Sequence, residues 1–322
     1  MARRKNKLYD VELLESNEVQ GEMDFQTALQ RFIGDCRIRN LKEHTLIYYK
    51  RELQLYKRTL EEQGIDPTPH LVNKNIINKN VILYMLEEQE CKEVTVNTRL
   101  RAVRTFYNFL EKENLIQSNP FHEVKFIKHN RRIIQTFSKE QVRLLLDQPD
   151  GSSFTGIRDL TIMMLLLETG VRANECISID VKDINWTDHN IRIKEPKGSK
   201  ERIVPIQKRM QKQLRKYLNI RGRLEEVDAL FVSIDNQRLS KRQLQNLISK
   251  YGRQAGIKDV RCSPHTFRHT MAKLSVQRGA DIFTLQAILG HSSLEMVRVY
   301  VHLFSSDVYE NHKKFSPIER LY

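Results

Sequence analysis

The sequence has few of the features that mark secreted, disulfide-bonded or membrane-spanning proteins. The longest apolar run, LTIMMLLL, is interrupted by Thr161 and is too short to cross a bilayer. The basic start, MARRKNKLYDVELLE, is not followed by an apolar stretch with a cleavage site, so we expect no signal peptide. The cysteines lie far apart without a Cys-x-x-Cys pair, which argues against a disulfide framework or zinc finger and favours a reduced cytoplasm. They are Cys36, Cys91, Cys176 and Cys262.

The chain has a large excess of positive charge. Its 322 residues include 54 Lys and Arg against 40 Asp and Glu, a net charge of +14. Such an excess favours a polyanionic partner, and because no basic amphipathic surface helix is evident, nucleic acid is preferred over a membrane. The length predicts two domains of ordinary size.

The first half has the periodicity of packed helices. Residues 44 to 64 carry apolar residues at three- and four-residue steps, which predicts an amphipathic helix ended by Gly64. A shorter helix is predicted over residues 78 to 90, and another over TVNTRLRAVRTFYNFLEKENLI. This last helix has a polar stripe beside its apolar one, formed by Asn97, Arg101, Arg104 and Asn108.

The polar stripe is either a solvated face or a surface that lies along DNA with its arginines on phosphates. The net charge favours DNA. The stretch that follows, QSNPFHEVKFIKHNRRIIQTFSKEQ, reads as a basic linker, which suits a clamp around a duplex but also serves plain solubility. Ser138 with Gln141 predicts the next helix start. The expected DNA-binding residues are Arg99, Arg101, Arg104, Lys125, Arg131 and Arg132.

The second half mixes helices with a small sheet. LTIMMLLLETG is apolar on every face, which predicts a buried helix closed by Gly170. Residues 177 to 206 alternate and carry turn signals, which predicts a small antiparallel sheet. Helical patterns resume near residue 206.

Short polar motifs in this half carry candidate functional residues. Taken singly, each has an ordinary structural interpretation: a helix-end charge, an exposed turn lysine, a structural histidine or a core tyrosine. His265 and His269 also have the spacing of a metal pair, but Thr266 stands where a zinc protease needs Glu, so no metal is expected. The candidates are Arg172 in TGVRANE, Lys197 in EPKGSKERIVPI, His265 and Arg268 in SPHTFRHT, His291 in LGHSS, and Tyr300.

Together, in this order and spacing, these motifs resemble the active site of the tyrosine recombinase (phage integrase) family. TVNTRLRAVRTFYNFLEKENLIQSNP is similar to the last helix of the core-binding domain in Xer-type recombinases. The resemblance covers roughly residues 24 to 305, with Pro196 standing where a Gly often precedes the hairpin lysine.

The resemblance implies a mainly α fold with a small antiparallel β-sheet. It predicts a helical, SAM-like core-binding domain and an α+β catalytic domain. The predicted bounds are 1–22 for an N-terminal extension, 23–116 for the helical DNA domain, 117–135 for the basic linker, 136–305 for the catalytic domain and 306–322 for a tail. The tail either contacts a neighbouring subunit or folds on its own.

The resemblance also implies chemistry. Tyr300 would attack a DNA phosphodiester, forming a 3′-phosphotyrosyl link and freeing a 5′-hydroxyl that later attacks the partner duplex. A tyrosine hydroxyl titrates near ~10, so it needs a base or positive charge nearby. Arg172 and Arg268 would bind the phosphate oxygens with help from His291. His265 would be the proton shuttle, and Glu175 would support the site by pairing with a cation. Lys197 would be the general acid, although Lys194 and Lys200 flank it on the same hairpin.

No cofactor is expected. Two arginines, a lysine and two histidines can supply the positive charge and proton transfer that metal ions supply elsewhere, and the phosphotyrosine conserves the bond energy, so ATP is not needed. The expected partner is double-stranded DNA with inverted-repeat core sites, bound by a homotetramer, with an accessory directionality factor or partner recombinase as a further candidate and no membrane. The pattern fits integration, excision and dimer resolution alike. A non-catalytic DNA-binding regulator would have lost active-site residues, and none is lost; a type IB topoisomerase fits the two-domain plan less well.

Overall fold

The computed structural model describes residues 23–128, 135–194, 201–290, 293–295, 297, 298 and 300. The chain divides into two compact units, Met1–Arg132 and Ile133–Tyr322. Each has its own apolar core. The predicted N-terminal extension and C-terminal tail lie outside the described residues.

The first unit is helical. Its helices are α1 (Phe25–Ile38), α2 (Glu43–Glu61), α3, which consists of Lys74–Ile76, a π-helical stretch Ile77–Leu83 and Tyr84–Glu87, and α4 (Glu93–Lys112). A 3₁₀ turn, Pro120–His122, follows. The core is rich in aromatic rings; Phe106, for example, lies 5.5 Å from Phe25 and 5.6 Å from Phe32 between ring centroids. The predicted helices are present, and the 78–90 helix begins earlier because Asn73 caps it.

One residue of the polar stripe on α4 is buried and takes part in the packing of this unit. Asn97 is buried, and its side-chain amide bonds both backbone groups of Ile127, at 2.8 and 2.9 Å. Phe121 and Val124 are buried in the same core. Much of the segment predicted as linker therefore packs against α4. Asn97, which belongs to the stripe that the sequence suggested was exposed to solvent, supplies hydrogen bonds to this segment.

The second unit contains both helices and strands. Its helices are α5 (Lys139–Asp147), α6 (Phe154–Thr169), α7 (Ala173–Ser178), α8 (Lys208–Arg221), α9 (Lys241–Gln254), α10 (Pro264–Gln277) and α11 (Ile282–Leu289). The strands are β1 (Ile184–Asn185), β2 (Asn190–Ile193) and β3 (Arg202–Pro205), in the order β1-β2-β3. Both pairings are antiparallel. The mainly α fold with a small antiparallel sheet is therefore confirmed.

Local signals place α5, α6 and α10 as expected. Ser138 and Gln141 form a reciprocal capping box at the start of α5. Ser263 caps α10, and Pro264 occupies its first turn, where a missing N–H costs nothing. The apolar helix α6 is largely buried, and it packs against α8 and α10. It therefore holds Gly170 and α10 at fixed positions beside the candidate site. Across the described residues, every helix is too short or too polar to traverse a bilayer.

Candidate active site

Two arginines predicted to bind phosphate lie beside the same turn at the end of α11. Arg268 is buried on α10 and donates to the carbonyl oxygens of Gly170, at 2.6 Å, and Leu289, at 2.8 Å. Arg172 donates to the next carbonyl, that of Gly290, at 3.3 Å. The two guanidinium groups are thus fixed by adjacent carbonyls, although their positive charges oppose each other. Burial and then the charge of Arg172 lower the pKa of Arg268 to about 10, so it remains a cation at neutral pH.

Glycine suits the backbone at Gly170 and Gly290, whose carbonyls accept from the two arginines. Gly170 ends α6 at φ +61°, and a Cβ there would lie 2.8 Å from Leu289. Gly290 has φ +64°, and a Cβ there would lie 2.9 Å from the Arg202 side chain. A side chain at either position would meet both a left-handed backbone and a steric conflict. This explains the glycines in the TGVRANE and LGHSS motifs.

Glu175 holds two arginines in place. Its carboxylate accepts from Arg172 Nη1 at 2.8 Å and from Arg202 Nη1 and Nη2 at 3.0 and 2.7 Å. It also accepts from the Arg172 backbone N–H at 2.7 Å, which caps α7. Burial by itself would raise the pKa of Glu175, but the hydrogen bonds and charge of Arg202, followed by those of Arg172, hold it at about 2. The carboxylate is therefore ionised throughout the physiological range.

Tyr300 lies beside this charged group with its hydroxyl on a histidine. Its ring is 4% exposed and packs in a small apolar cluster with residues of α10 and α11. Its Oη lies 2.7 Å from Nδ1 of His269. Burial raises the pKa of Tyr300, and the charges of Arg268 and Arg172 partly offset this effect. Both predicted phosphate-binding arginines thus act electrostatically on the predicted nucleophile.

His265 and Lys194 are the other described residues from the predicted motifs of the site. His265 lies one turn before His269 on α10, with its ring stacked at 6.3 Å between centroids. Burial, and then nearby positive charge led by Arg268, lowers the pKa of His265. Lys194 is held by Asp183 at 2.8 Å and Asp180 at 3.1 Å. Two predicted site residues, Lys197 and His291, lie outside the described residues.

The predicted DNA-binding arginines of α4 occupy different environments. Arg101 is exposed, and its guanidinium carbon lies 5.6 Å from the Phe126 ring centroid. Arg104 stacks on the same ring at 4.2 Å and donates to the carbonyl of Val124. Arg99 pairs with buried Glu52 at 3.7 Å and bonds Gln89, so it is engaged within the unit. Of these three, Arg101 is the one that faces solvent.

The predicted basic linker residues are described only in part. Lys125 is exposed to solvent. Arg131 and Arg132 lie outside the described residues.

Sequence reasoning missed two residues of the site. Arg202, in KERIVPI, is only 10% exposed at its side chain and also donates to the carbonyl of Ile288 at 2.8 Å. The one sequence feature that could have drawn attention to Arg202 is its charge at the start of an otherwise apolar strand. His269 was considered only as a metal ligand with His265. No local pattern could have placed it against Tyr300, 31 residues further along the chain.

The fold matches solved DNA recombinases. The chain aligns over 92% of its length with a lambda integrase dimer bound to a COC′ core site, covering 81% of that chain, with a TM-score of 0.73 and 18% identity. It aligns over 92% with XerH site-specific recombinase bound to a difH substrate, covering 85% of that chain, with a TM-score of 0.70 and 19% identity. At such identities the likeness establishes the fold alone: a helical N-terminal domain followed by a larger domain of helices with a small sheet.

Sequence comparisons identify the family. Residues 135–306 match the phage integrase family, and residues 29–114 match the phage integrase N-terminal SAM-like domain. The chain is 31% identical over 299 residues to a tyrosine recombinase XerC of Chlamydia caviae, covering 87% of this chain and 95% of the relative. It is 28% identical to a tyrosine recombinase XerD of Staphylococcus haemolyticus, covering 91% and 99%. The chain belongs to the phage integrase family and is a Xer-like tyrosine recombinase, an enzyme of site-specific DNA recombination that cleaves and rejoins DNA strands.

Proposed function

We propose that Tyr300 is the nucleophile of this recombinase and that Arg172 and Arg268 bind the phosphate it attacks. The observation that carries the proposal is the place of Tyr300 in the fold: its hydroxyl bonds His269, the residue after Arg268, and its ring packs in the cluster of Leu289, whose carbonyl accepts from Arg268. Preorganised cations stabilise the charge that builds on the phosphate oxygens in the transition state. Arg172, whose side chain is 35% exposed, offers the accessible guanidinium.

The remaining roles follow the same chemistry. Lys197 is the acid that protonates the leaving 5′-oxygen, His291 donates a further hydrogen bond to the phosphate, and His265 is the proton shuttle. Glu175 keeps Arg172 oriented through the bonds that also engage Arg202. The resulting 3′-phosphotyrosine preserves the energy of the broken bond, so strand exchange proceeds without ATP.

The proposed DNA contacts are narrower than the sequence alone suggested. Arg101 is accessible over Phe126, and Lys125 is exposed on the segment that Asn97 anchors. Arg99 pairs with Glu52 and Arg104 bonds the Val124 carbonyl, both inside the helical unit. These two arginines therefore support the DNA-binding surface and do not contact phosphate themselves. Arg131 and Arg132 continue the basic segment and are proposed as phosphate contacts.

We further propose the assembly in which the enzyme works. Two duplexes with inverted-repeat core sites are joined by a homotetramer in the cytoplasm, with one subunit for each strand that is exchanged. Movement of a mobile element and resolution of dimers both use this chemistry, and a directionality factor or partner recombinase is a candidate participant.

A suicide-substrate assay tests the proposal. Purified protein is mixed with nicked duplexes taken from the DNA that flanks its gene, and the products are separated on a denaturing gel. We expect a covalent protein–DNA band that Tyr300→Phe abolishes while DNA binding remains. A band that survives in Tyr300→Phe would show that another residue is the nucleophile.

A further inference from the structure

A histidine outside the predicted set contacts the reacting oxygen directly. His269 follows Arg268 on α10, and its Nδ1 lies 2.7 Å from Oη of Tyr300. The two rings are tilted at 45° with centroids 5.6 Å apart, so the contact is edge-on through the ring nitrogen and not a face-to-face stack. The distance is that of a short hydrogen bond.

We propose that His269 is a catalytic residue and the immediate acceptor of the Tyr300 proton during strand cleavage. The proposal rests on the proposed function of Tyr300 as the nucleophile. It separates the two sides of the reaction: His269 serves the attacking oxygen, and Lys197 serves the leaving oxygen. His265, whose ring is stacked on His269 one turn away, would then pass protons to or from His269.

The protonation states suit this assignment. Burial, followed by the influence of His265 and Arg268, lowers the pKa of His269 to about 4, so the imidazole is neutral at pH 7. Burial raises the pKa of Tyr300, so the phenol retains its proton. In the tautomer of the neutral imidazole that carries its proton on Nε2, the phenol O–H donates to Nδ1 of His269. A DNA phosphate entering beside Arg172 and Arg268 adds negative charge, which favours the cationic imidazole formed on attack.

The step balances with the groups already assigned. The bond from Oη to phosphorus forms as the bond from phosphorus to the 5′-oxygen breaks. The phenol proton passes to Nδ1 of His269, and the Lys197 ammonium gives a proton to the 5′-oxygen. In religation the 5′-hydroxyl attacks phosphorus and gives its proton to the neutral Lys197 amine, while His269 returns its proton to the departing Oη of Tyr300. Loss of His269 therefore slows both directions.

Two variants of similar size test the proposal in single-turnover cleavage of nicked duplexes. His269→Leu removes the acceptor, and we expect covalent-complex formation to fall about 100-fold or more, within the range for losing a general base. His269→Asn keeps a hydrogen-bond acceptor near the position of Nδ1 but cannot take up a proton at pH 7, so we expect a loss of at least about 10-fold. DNA binding should be unchanged in both. His122→Asn, which makes the same exchange in the helical unit, should cleave like the unmodified protein.

A substrate with a 5′-bridging sulfur identifies the side of the reaction that each residue serves. A thiolate leaves without protonation, so the substrate should restore cleavage by Lys197→Ala but not by either His269 variant. Restoration of the His269 variants, or cleavage by His269→Asn at the unmodified rate or faster, would overturn the proposal; faster cleavage would mean that the contact restrains Tyr300. If His269→Leu melts early, His269→Asn decides alone. Adduct formation by Tyr300→Phe would instead refute the nucleophile itself.

Discussion

The arginine side chains occupy different environments in the two units of this recombinase. In the catalytic unit, Arg268 is buried and Arg202 is partly buried, and both are held by backbone carbonyls or by Glu175. In the helical unit, Arg101 and Arg104 lie over the ring of Phe126, and Arg101 is exposed. A cation that stabilises a transition state must be fixed before the reaction, whereas a cation that meets a DNA backbone needs reach more than fixed geometry.

The largest expected effect comes from breaking a fixed arginine. Arg268→Lys keeps the charge but cannot supply a planar fork to the Gly170 and Leu289 carbonyls and to a phosphate at once. We expect covalent-complex formation to fall about 100- to 1000-fold while the affinity for DNA changes little. Single-turnover cleavage and a binding titration on the same duplex measure the two effects. A lysine variant with unimpaired cleavage would show that charge alone suffices there.

The lysines around the β2–β3 connection should differ almost as strongly. Asp183, followed by Asp180, holds Lys194 in ion pairs that raise its pKa, which makes it a poor proton donor. We expect Lys197→Ala to lose about 100-fold in cleavage and to recover on the 5′-bridging sulfur substrate. Lys194→Ala should lose far less and gain no advantage from sulfur. The opposite pattern would make Lys194 the acid.

The ionised carboxylate of Glu175 should stabilise the catalytic unit at neutral pH and lose this effect in acid. Its pKa of about 2 lies below the ordinary 4.5, so its ionised form stabilises the fold above pH 4.5, and this contribution is lost as pH falls toward 2. At ~1.4 kcal/mol per pKa unit, the contribution is on the order of 3 kcal/mol at neutral pH. Urea unfolding of Glu175→Gln should show this deficit at pH 7 and a smaller one near pH 3. A deficit independent of pH would assign the loss to packing instead.

Sequence patterns foretold local structure better than they foretold long-range partners. The capping box at Ser138, the left-handed Gly170 and the start of α10 at Pro264 depend on neighbours within a few residues, so a local pattern contains their cause. The order of the motifs also singled out Arg172 and Arg268 as candidates, and the structure places both beside one turn.

The partners that sequence reasoning missed are separated along the chain. Arg202 reaches Glu175 across 27 positions, and His269 reaches Tyr300 across 31. A residue type with several ordinary uses reveals its role only once the fold supplies its neighbour. Asn97 shows the converse: its place in a polar stripe suggested an exposed face, and tertiary packing buried it against Ile127.

The smallest expected effect tests the arginines of the helical unit against each other. Arg101→Ala removes an exposed cation over Phe126, so it should weaken DNA binding a few-fold and reduce the slope of log affinity against log salt by about one. Arg99→Ala removes a cation already paired with Glu52, so the salt slope should be unchanged even if the helical unit loses stability. Titrations from low to moderate salt compare the two. If both variants and the unmodified protein gave equal slopes of log affinity against log salt, the α4 stripe would be an ordinary solvated surface and not a DNA contact.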